Sequence, residues 1–304
     1  MTGCSKLITR QISMRKILNI ICCLFSSVLL HTSCAQTNKT ADTKKPLIVF
    51  VAGDQEYSGE ATLPLIAAEL EKNYGFRTLV IKSEPDQNAE ENIPGLEALK
   101  DADLAIFFLR WRRLPAEQVK HIEDYLKTKK PLIGFRTTTH AFNYPAGHEL
   151  EKWNAFGEFA FNAPPGWGGK ANHTHYGHNS STDVTMIPEA ANNPILSGVA
   201  KKFHARSWLY KVLPDYPAKG STNLLMGHSI SPDKTAIDNP VAWIGTNSYG
   251  AKFFMTTLGH PEDFALEPFQ RLVINAIHWA SGKRVPAKWA GKIDVAVQYR
   301  GITK

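Results

Sequence analysis

Clustered histidines are the side chains of this sequence best suited to chemistry. Five of the 11 histidines lie in segments rich in glycine, proline and threonine, namely His140, His173, His175, His178 and His260. Imidazole transfers protons and binds metal ions near neutral pH, so such clusters indicate a functional site. All four cysteines lie at or before Cys34, which leaves the rest of the chain without a thiol nucleophile. We therefore expect histidine-based or metal-based chemistry.

Two of these histidines stand where acid or base catalysts are expected. His140 ends the run RTTTH, and His260 follows the apolar run FFMTTLG and precedes Glu262 by two residues. A carboxylate beside an imidazole fixes its tautomer and increases its basicity, so we predict His140, His260 and Glu262 as catalytic residues. The alternatives are that His140 caps a loop and that Pro261 begins a helix with Glu262 at its N-terminus.

The segment HTHYGH supplies three imidazoles that are close enough in sequence to bind one ion. In an extended segment, His173 and His175 point to the same side, and His178 or His140 would complete the coordination. We therefore predict His173, His175 and His178 as ligands of a divalent metal, zinc or a similar ion, and no other cofactor. The alternative is an ordered loop whose histidines hydrogen-bond to backbone carbonyl groups.

Substrate contacts are expected from the ends of two predicted strands and from a glycine-rich loop. Arg110 and Trp111 end the third apolar run, Thr138 follows the fourth, and Trp167 lies in PPGWGG. Indole rings stack on sugar rings, and a cation at a strand end can face a polar ligand, so these four residues are predicted to bind substrate. The alternative for the two tryptophans is burial in the core.

Apolar runs alternate with amphipathic helices in the first half of the chain. The predicted strands are 46–53, 77–82, 104–111 and 132–137, with helices near 63–74, 95–100 and 115–126 between them. This alternation predicts an α/β fold, a three-layer sandwich with a mostly parallel central sheet of the flavodoxin-like type. Ligands bind such sheets at the carboxyl ends of the strands, where His140 and His260 are placed.

The second half is less regular. Residues 138–220 show no hydrophobic period but contain many aromatic side chains, and we expect an ordered functional loop there. Strands are predicted at 223–230, 240–246 and 252–258, and a helix at 265–281.

The N-terminus has the composition of an export signal. Arg15 and Lys16 precede an apolar run, 17–30, that is too short to span a bilayer as a helix. Residues 1–35 are therefore predicted to be a signal peptide, either cleaved in the ordinary way or lipidated at Cys34, and 36–45 a polar linker. We expect a periplasmic protein or a membrane-anchored lipoprotein. Loss of 1–35 removes four basic residues and no acids, so the net charge falls from +7 to +3, too little to indicate nucleic-acid binding.

Several short motifs together resemble the ThuA-like (trehalose-utilisation) family. The matching stretches are GFRTTTHAF at 134–142, WNAFG at 153–157, NPILSG at 193–198, PVAW at 240–243 and TTLGHPED at 256–263. The resemblance covers 46–282 as one domain and leaves 283–304 as a C-terminal extension.

The resemblance implies the fold of class I glutamine amidotransferases. In those enzymes a cysteine on a turn after a central strand works with a His-Pro-Glu sequence. Here His260-Pro261-Glu262 matches, but the turn carries Arg136, Thr137 and Thr138, so we expect no glutamine amidotransferase activity.

The family also implies carbohydrate catabolism and histidines that bind a divalent metal. We expect a hydrolase or lyase that acts on disaccharides or keto-sugars. The alternatives are a non-catalytic glycan-binding protein and a scaffold subunit for a partner oxidoreductase. A small carbohydrate is the expected partner, with a homo-oligomer and a lipid anchor as further expectations and no nucleic acid.

Overall fold

Strands and helices alternate through the first half of the computed structural model, which describes residues 45–301. The elements here are β1 (Leu47–Gly53), α1 (Gly59–Asn73), β2 (Arg77–Lys82), β3 (Leu104–Leu109), α2 (Ala116–Lys127), β4 (Leu132–Phe135) and α3 (Phe156–Phe161). Short 3₁₀ helices occupy 96–101, 136–140 and 151–155. The predicted alternation of strand and helix is therefore confirmed.

The second half contributes mainly strands. They are β5 (Thr174–His175), β6 (Ser181–Met186), β7 (Lys202–Ala205), β8 (Tyr210–Lys211), β9 (Thr222–Ile230), β10 (Asp238–Thr246) and β11 (Lys252–Thr256), followed by α4 (Pro261–Phe264) and α5 (Glu267–Ala280). The predicted strands at 223–230, 240–246 and 252–258 and the final helix are found within a few residues of their expected bounds.

Within residues 45–301, nine strands form one sheet in the order β2-β1-β3-β4-β11-β10-β9-β6-β7. The five strands from β2 to β11 pair in parallel, and each of the four later pairings is antiparallel. Only β10 and β6 run against the other strands of this sheet, which makes it mixed but mostly parallel. The predicted α/β sandwich is confirmed.

Both faces of the parallel half are covered, as its continuous apolar strands require. Ile48 and Phe50 of β1 belong to a core that includes residues of α1 and α5, whereas Val49 and Val51 belong to a core on the other face with residues of α2. The alternation follows from the two-residue period of a strand.

The irregular segment 138–220 contains more regular structure than the sequence predicts. It holds α3, the 3₁₀ helix 151–155 and four strands, of which β6 and β7 extend the sheet at its edge. Side chains of β6 alternate between buried and exposed, but its polar sequence, STDVTM, hides that period. The predicted strand 132–137 also ends early, at Phe135, because Arg136 has a φ of 40°, which an extended strand does not allow.

The predicted signal peptide 1–35, its Cys34 and nearly all of the linker 36–45 lie outside the described residues. In the described part of the chain, no helix is both long and apolar enough to span a membrane.

Gly157 in α3 allows the closest approach between this helix and the turn that carries His140. A Cβ atom at Gly157 would collide with the carbonyl oxygen of Thr139 and lie 2.8 Å from that of Pro164. Because both neighbours are backbone atoms, Gly157→Ala should lower the free energy of unfolding by about 2–4 kcal/mol, measured by urea denaturation.

Gly147→Ala is the matched control, since an added Cβ there meets no atom within 4 Å and only the φ of 80° is strained. This substitution should lower the free energy of unfolding by only about 1 kcal/mol. Equal losses in the two variants would contradict the close packing of α3 on the His140 turn.

Candidate functional site

Four neighbouring strands deliver polar side chains to one edge of the sheet. The segments 54–57, 110–112, 136–140 and 257–260 follow β1, β3, β4 and β11 directly. These strands pair in parallel, so their carboxyl ends meet at the same edge. His140 and His260 both lie at this edge, as the sequence predicts.

The turn after β4 is built around a buried arginine. Arg136 has a φ of 40° and no exposed surface, and its Nη1 donates to the carbonyl oxygen of Thr257 at 2.8 Å. Its guanidinium carbon lies 4.3 Å from the ring centre of Tyr57, 4.9 Å from that of Trp208 and 4.6 Å from that of Tyr210. An arginine thus ties the β1, β4 and β11 ends to an aromatic cluster by cation–π contacts.

Thr138 in the same turn holds two strands together. Its hydroxyl donates to the carbonyl oxygen of Phe107 at 2.9 Å and accepts the N–H of Leu109 at 3.2 Å. The side chain is fully buried, so this geometry gives Thr138 a structural role and does not support its predicted contact with substrate.

His140 is held in one tautomer by its neighbour. The Thr139 hydroxyl donates to the carbonyl oxygen of Arg136 at 3.2 Å and lies 2.9 Å from Nδ1 of His140. Because the Thr139 hydroxyl donates its only proton to Arg136, it acts as the acceptor of the hydrogen bond with His140. We therefore assign the ring proton to Nδ1, which leaves a free lone pair on Nε2. The His140 ring lies 4.4 Å from Trp167 and 5.7 Å from His173, centre to centre.

The loop histidines belong to the same cluster of rings. His173 Nδ1 is 2.9 Å from the carbonyl oxygen of Gly166, which only accepts, so Nδ1 carries the proton. Nε2 of His173 and Nδ1 of His175 are buried and have no hydrogen-bond partner among the described residues. The His175 ring lies 5.7 Å from Trp167 and stacks on His178 at 4.6 Å.

Pairing of two short strands fixes this loop. In β5, His175 is opposite Tyr210 of β8, and the same stretch places Trp208 beside His178, with ring centres 4.6 Å apart. Trp208 in turn lies 5.9 Å from His260.

These contacts form one continuous series of rings, which we call the ring array: His140, Trp167, His175, Trp208 and His260. The structure therefore brings together histidines from β4, the loop and β11. His140 and His260 stand at opposite ends of the ring array.

His260 is oriented differently from the sequence prediction. Its Nδ1 accepts the backbone N–H of Glu262 at 3.3 Å, because His260 caps the N-terminus of α4. The Glu262 carboxylate lies 3.9 Å from Nδ1 and its side chain is 65% exposed, so it does not fix the ring. With Nδ1 accepting, we assign the proton of the neutral ring to Nε2.

Asp263, rather than Glu262, holds the backbone of this turn. Its buried carboxylate accepts the N–H groups of Gly259 at 2.9 Å and His260 at 3.1 Å. It also accepts the N–H of Ser207 at 3.1 Å and the hydroxyl of Ser207. Asp263 thereby links the β11 turn to the segment that carries Trp208.

Arg110 and Trp111 flank His140 on the side of β3. Nε of Arg110 lies 3.0 Å from the Glu56 carboxylate, and its guanidinium carbon lies 3.5 Å from the Trp111 ring centre. Both charged side chains are almost completely buried, so Glu56 neutralises Arg110, and Arg110 supports Trp111. The Trp111 ring is 6.2 Å from His140.

A cavity of about 420 Å³ lies beside these rings. Its wall includes Trp111, Asn143, Asn154 and Trp167. Because Trp111 and Trp167 both contact His140, the cavity adjoins this end of the ring array.

Four histidines of the site, His140, His173, His175 and His260, are neutral at neutral pH. Burial lowers the pKa of His173 and His175 to about 4, and burial together with the Arg136 and Arg206 charges lowers the pKa of His260 to about 3. Burial also lowers the pKa of His140 well below its ordinary value.

The predicted metal ligands are not arranged around one point. Across residues 45–301, no three His, Cys, Asp or Glu side chains are grouped so as to hold one metal ion. His175 and His178 stack on each other, whereas His173 hydrogen-bonds to Gly166. In this arrangement the three histidines cannot coordinate one metal ion together. The unpartnered nitrogens of His173 and His175 are instead suited to a ligand that forms hydrogen bonds.

Several residues of the site were not predicted, namely Tyr57, Arg136, Trp208, Tyr210, Asp263 and Tyr299. Tyr57 follows the first predicted strand, and the strand-end rule applied to His140 would have selected it. Trp208 and Tyr210 lie in the segment without a period, where the sequence gives no sign of which rings meet.

Acid should destabilise the fold between about pH 6.5 and pH 4. The unfolded chain takes up protons on its histidines in this range, whereas His173, His175 and His260 stay neutral in the native state. The unfolded state then binds more protons, so the free energy of unfolding falls as the pH falls. Asp54 acts in the opposite direction, because burial raises its pKa to about 6 in the native state. The effect of this single carboxyl group is smaller than the summed effect of the histidines.

Urea denaturation across this range measures the effect. His173→Asn should lower the number of protons taken up on unfolding by about one, and the neighbouring Thr174→Asn, which removes no titrating group, should leave it unchanged. An unchanged proton uptake in His173→Asn would contradict a neutral native His173.

Comparison with known proteins agrees with this fold. The ThuA family model, described as trehalose utilisation, matches residues 47–280. A ThuA-like protein from Parabacteroides merdae is similar in structure with a TM-score of 0.61 and 16% identity, over 84% of this chain and 98% of that chain. A ThuA-like protein from Bacteroides uniformis has 17% identity over 78% and 92% of the two chains, with a TM-score of 0.49.

No curated protein matches the chain. At 16% identity, the likeness to a solved structure shows the fold alone. The family match spans most of the chain and includes every strand of the central sheet. This protein belongs to the ThuA family, which is associated with trehalose utilisation.

Proposed function

We propose that this protein is an exported enzyme of carbohydrate catabolism that acts on a disaccharide or keto-sugar as a hydrolase or lyase. The observation that carries the proposal is the ring array, in which His140 and His260 are joined by aromatic rings at the carboxyl edge of the sheet. Neutral imidazoles can accept or donate protons, and the neighbouring indole rings offer flat apolar faces on which a sugar ring can stack.

The cavity beside His140 supports a saccharide ligand. Its volume of about 420 Å³ lies in the range of roughly 300–1,000 Å³ that is usual for small-molecule sites. Trp111 and Trp167 provide ring faces for stacking, and Asn143 contributes an amide at the wall. Arg110 acts indirectly, since its charge is paired with Glu56 and its guanidinium lies against Trp111.

His140 is the proposed base. Its Nε2 lone pair takes the proton from a carbon next to a sugar carbonyl, and the electron pair of that C–H bond moves to the carbonyl oxygen as an enolate. Collapse of the enolate expels the glycosidic oxygen on the next carbon, and the His140 imidazolium returns the proton to that oxygen. This elimination needs neither a paired carboxylate nor a thiol.

His260 is the proposed hydrogen-bond donor at the other end of the ring array. Because its Nδ1 accepts the Glu262 N–H, the Nε2–H is left to donate to a carbonyl or hydroxyl oxygen of the sugar. Glu262 then contributes through its backbone N–H, in place of the predicted carboxylate contact. Glutaminase chemistry is not proposed, since the turn after β4 carries Arg136, Thr137 and Thr138 and no cysteine nucleophile.

Replacing the histidine at either end of the ring array should abolish turnover and leave the fold unchanged. His140→Ala and His260→Ala should each lower kcat/KM on the 3-keto derivative of trehalose, which has the required carbonyl, by about 100-fold or more, measured by chromatography of the products. His148→Ala is the control, because His148 is exposed and outside the ring array. Full activity in the His140 variant would refute its role as the base.

A glycan-binding protein without turnover is the second candidate, because the same indole rings would hold a sugar without chemistry. Calorimetry distinguishes the two functions. Binding of trehalose that needs Trp167 but yields no product from trehalose or its 3-keto derivative would favour the binding protein.

The zinc or similar ion that the sequence predicts at His173, His175 and His178 is used in no step above. Because these residues are not grouped around one point, we expect less than about 0.2 metal ions per chain in protein purified without chelator or polyhistidine tag. Elemental analysis measures this content. One zinc per chain that is lost in His175→Ala would overturn the metal-free mechanism.

A further inference from the structure

The chain beyond the family domain returns to the site. The family match ends at residue 280, and residues 283–301 continue outside it. Ile293 is fixed by two hydrogen bonds with the buried Gln270 side chain, at 2.7 and 2.8 Å, and Ile293 and Val295 are both buried in the core. This segment is therefore part of the folded domain.

Two further contacts fix the end of the segment beside α1. The Ser58 hydroxyl donates to the carbonyl oxygen of Gln298 at 2.8 Å, and Arg300 forms an ion pair with Glu60 at 2.6 Å. Tyr299 lies between these two contacts.

Tyr299 covers His260. Its ring centre lies 4.7 Å from that of His260 at an interplanar angle of 32°, and 5.7 Å from that of Trp208. Its hydroxyl donates to the Glu56 carboxylate at 3.2 Å, and the other oxygen of Glu56 pairs with Arg110 at 3.0 Å. His260 keeps only 1% of its surface exposed, whereas Tyr299 keeps 37%.

The opposite end of the ring array is open. Trp111 and Trp167, which contact His140, are both half-buried, and the cavity of about 420 Å³ lies at this end. The ring array therefore has one end in contact with solvent and one end under Tyr299.

We propose that residues 283–301 form a strap that closes the His260 end of the site through Tyr299, so that ligands enter from the Trp111–Trp167 end. A cleft open at both ends accepts the interior of a polymer, whereas a cleft closed at one end accepts only a short ligand or a chain end. Tyr299 is then a specificity-determining residue. The saccharide part of this inference rests on the proposed function, and the closure itself does not.

Chemical modification tests the closure without any substrate. Diethyl pyrocarbonate carbethoxylates accessible neutral imidazoles, and mass spectrometry follows each histidine separately. His260 should react slowly in the wild-type protein, and Tyr299→Ala should increase its rate at least about tenfold, with the exposed His148 as the internal standard.

Tyr299→Phe is the matched variant, because it keeps the ring and removes only the hydroxyl bonded to Glu56. It should restore a rate within about twofold of wild type. Circular dichroism confirms that each variant is folded. Equal His260 rates in the wild type and Tyr299→Ala would overturn the strap.

Sugar binding tests the consequence for specificity. In calorimetry, the wild type should bind maltose at least about tenfold more tightly than a soluble maltoheptaose blocked at both ends, and Tyr299→Ala should gain affinity for the blocked, longer sugar. A wild type that binds the blocked maltoheptaose as tightly as maltose would contradict a closed end. If no saccharide binds, the proposed function fails, and the modification rates still decide the closure.

Discussion

The site depends on one buried cation. Arg136 follows the central strand in a left-handed conformation, and its guanidinium contacts the rings of Tyr57, Trp208 and Tyr210 while donating to the backbone of Thr257. In the described part of the chain Arg136 forms no ion pair, so aromatic faces and carbonyl groups, together with the more distant Asp263 carboxylate, balance its charge. Cation–π contacts contribute about 2 kcal/mol where they are desolvated.

The resemblance to class I glutamine amidotransferases implies a cysteine nucleophile in this turn, where this chain carries Arg136, Thr137 and Thr138. A residue held at positive φ after a strand is strained, and such strain is usually retained for a functional reason. In this chain the strained residue organises the site instead of attacking a substrate. The turn thus places a buried guanidinium, and no thiol, among the rings of the site.

Burial and charge act together on those imidazoles. The low pKa values of His173, His175 and His260 follow mainly from burial, and Arg136 adds to the effect at His260. A neutral ring has one donor and one acceptor nitrogen, so its neighbours decide what it can do. Thr139 leaves His140 an acceptor, whereas the capping of α4 leaves His260 a donor.

The sequence by itself determined the sandwich, the histidines at two strand ends and the missing thiol, because apolar runs and residue types are local properties. It did not predict the outward orientation of the Glu262 carboxylate or the contacts of Trp208 and Tyr299 with His260. The N-cap geometry of His260 turns Asp263 inward and Glu262 outward. The path of the HTHYGH loop depends on pairing between β5 and β8, and Tyr299 reaches His260 only because the C-terminal segment is anchored at Gln270 and Ser58. Such contacts join residues far apart in sequence, so only the tertiary structure decides them.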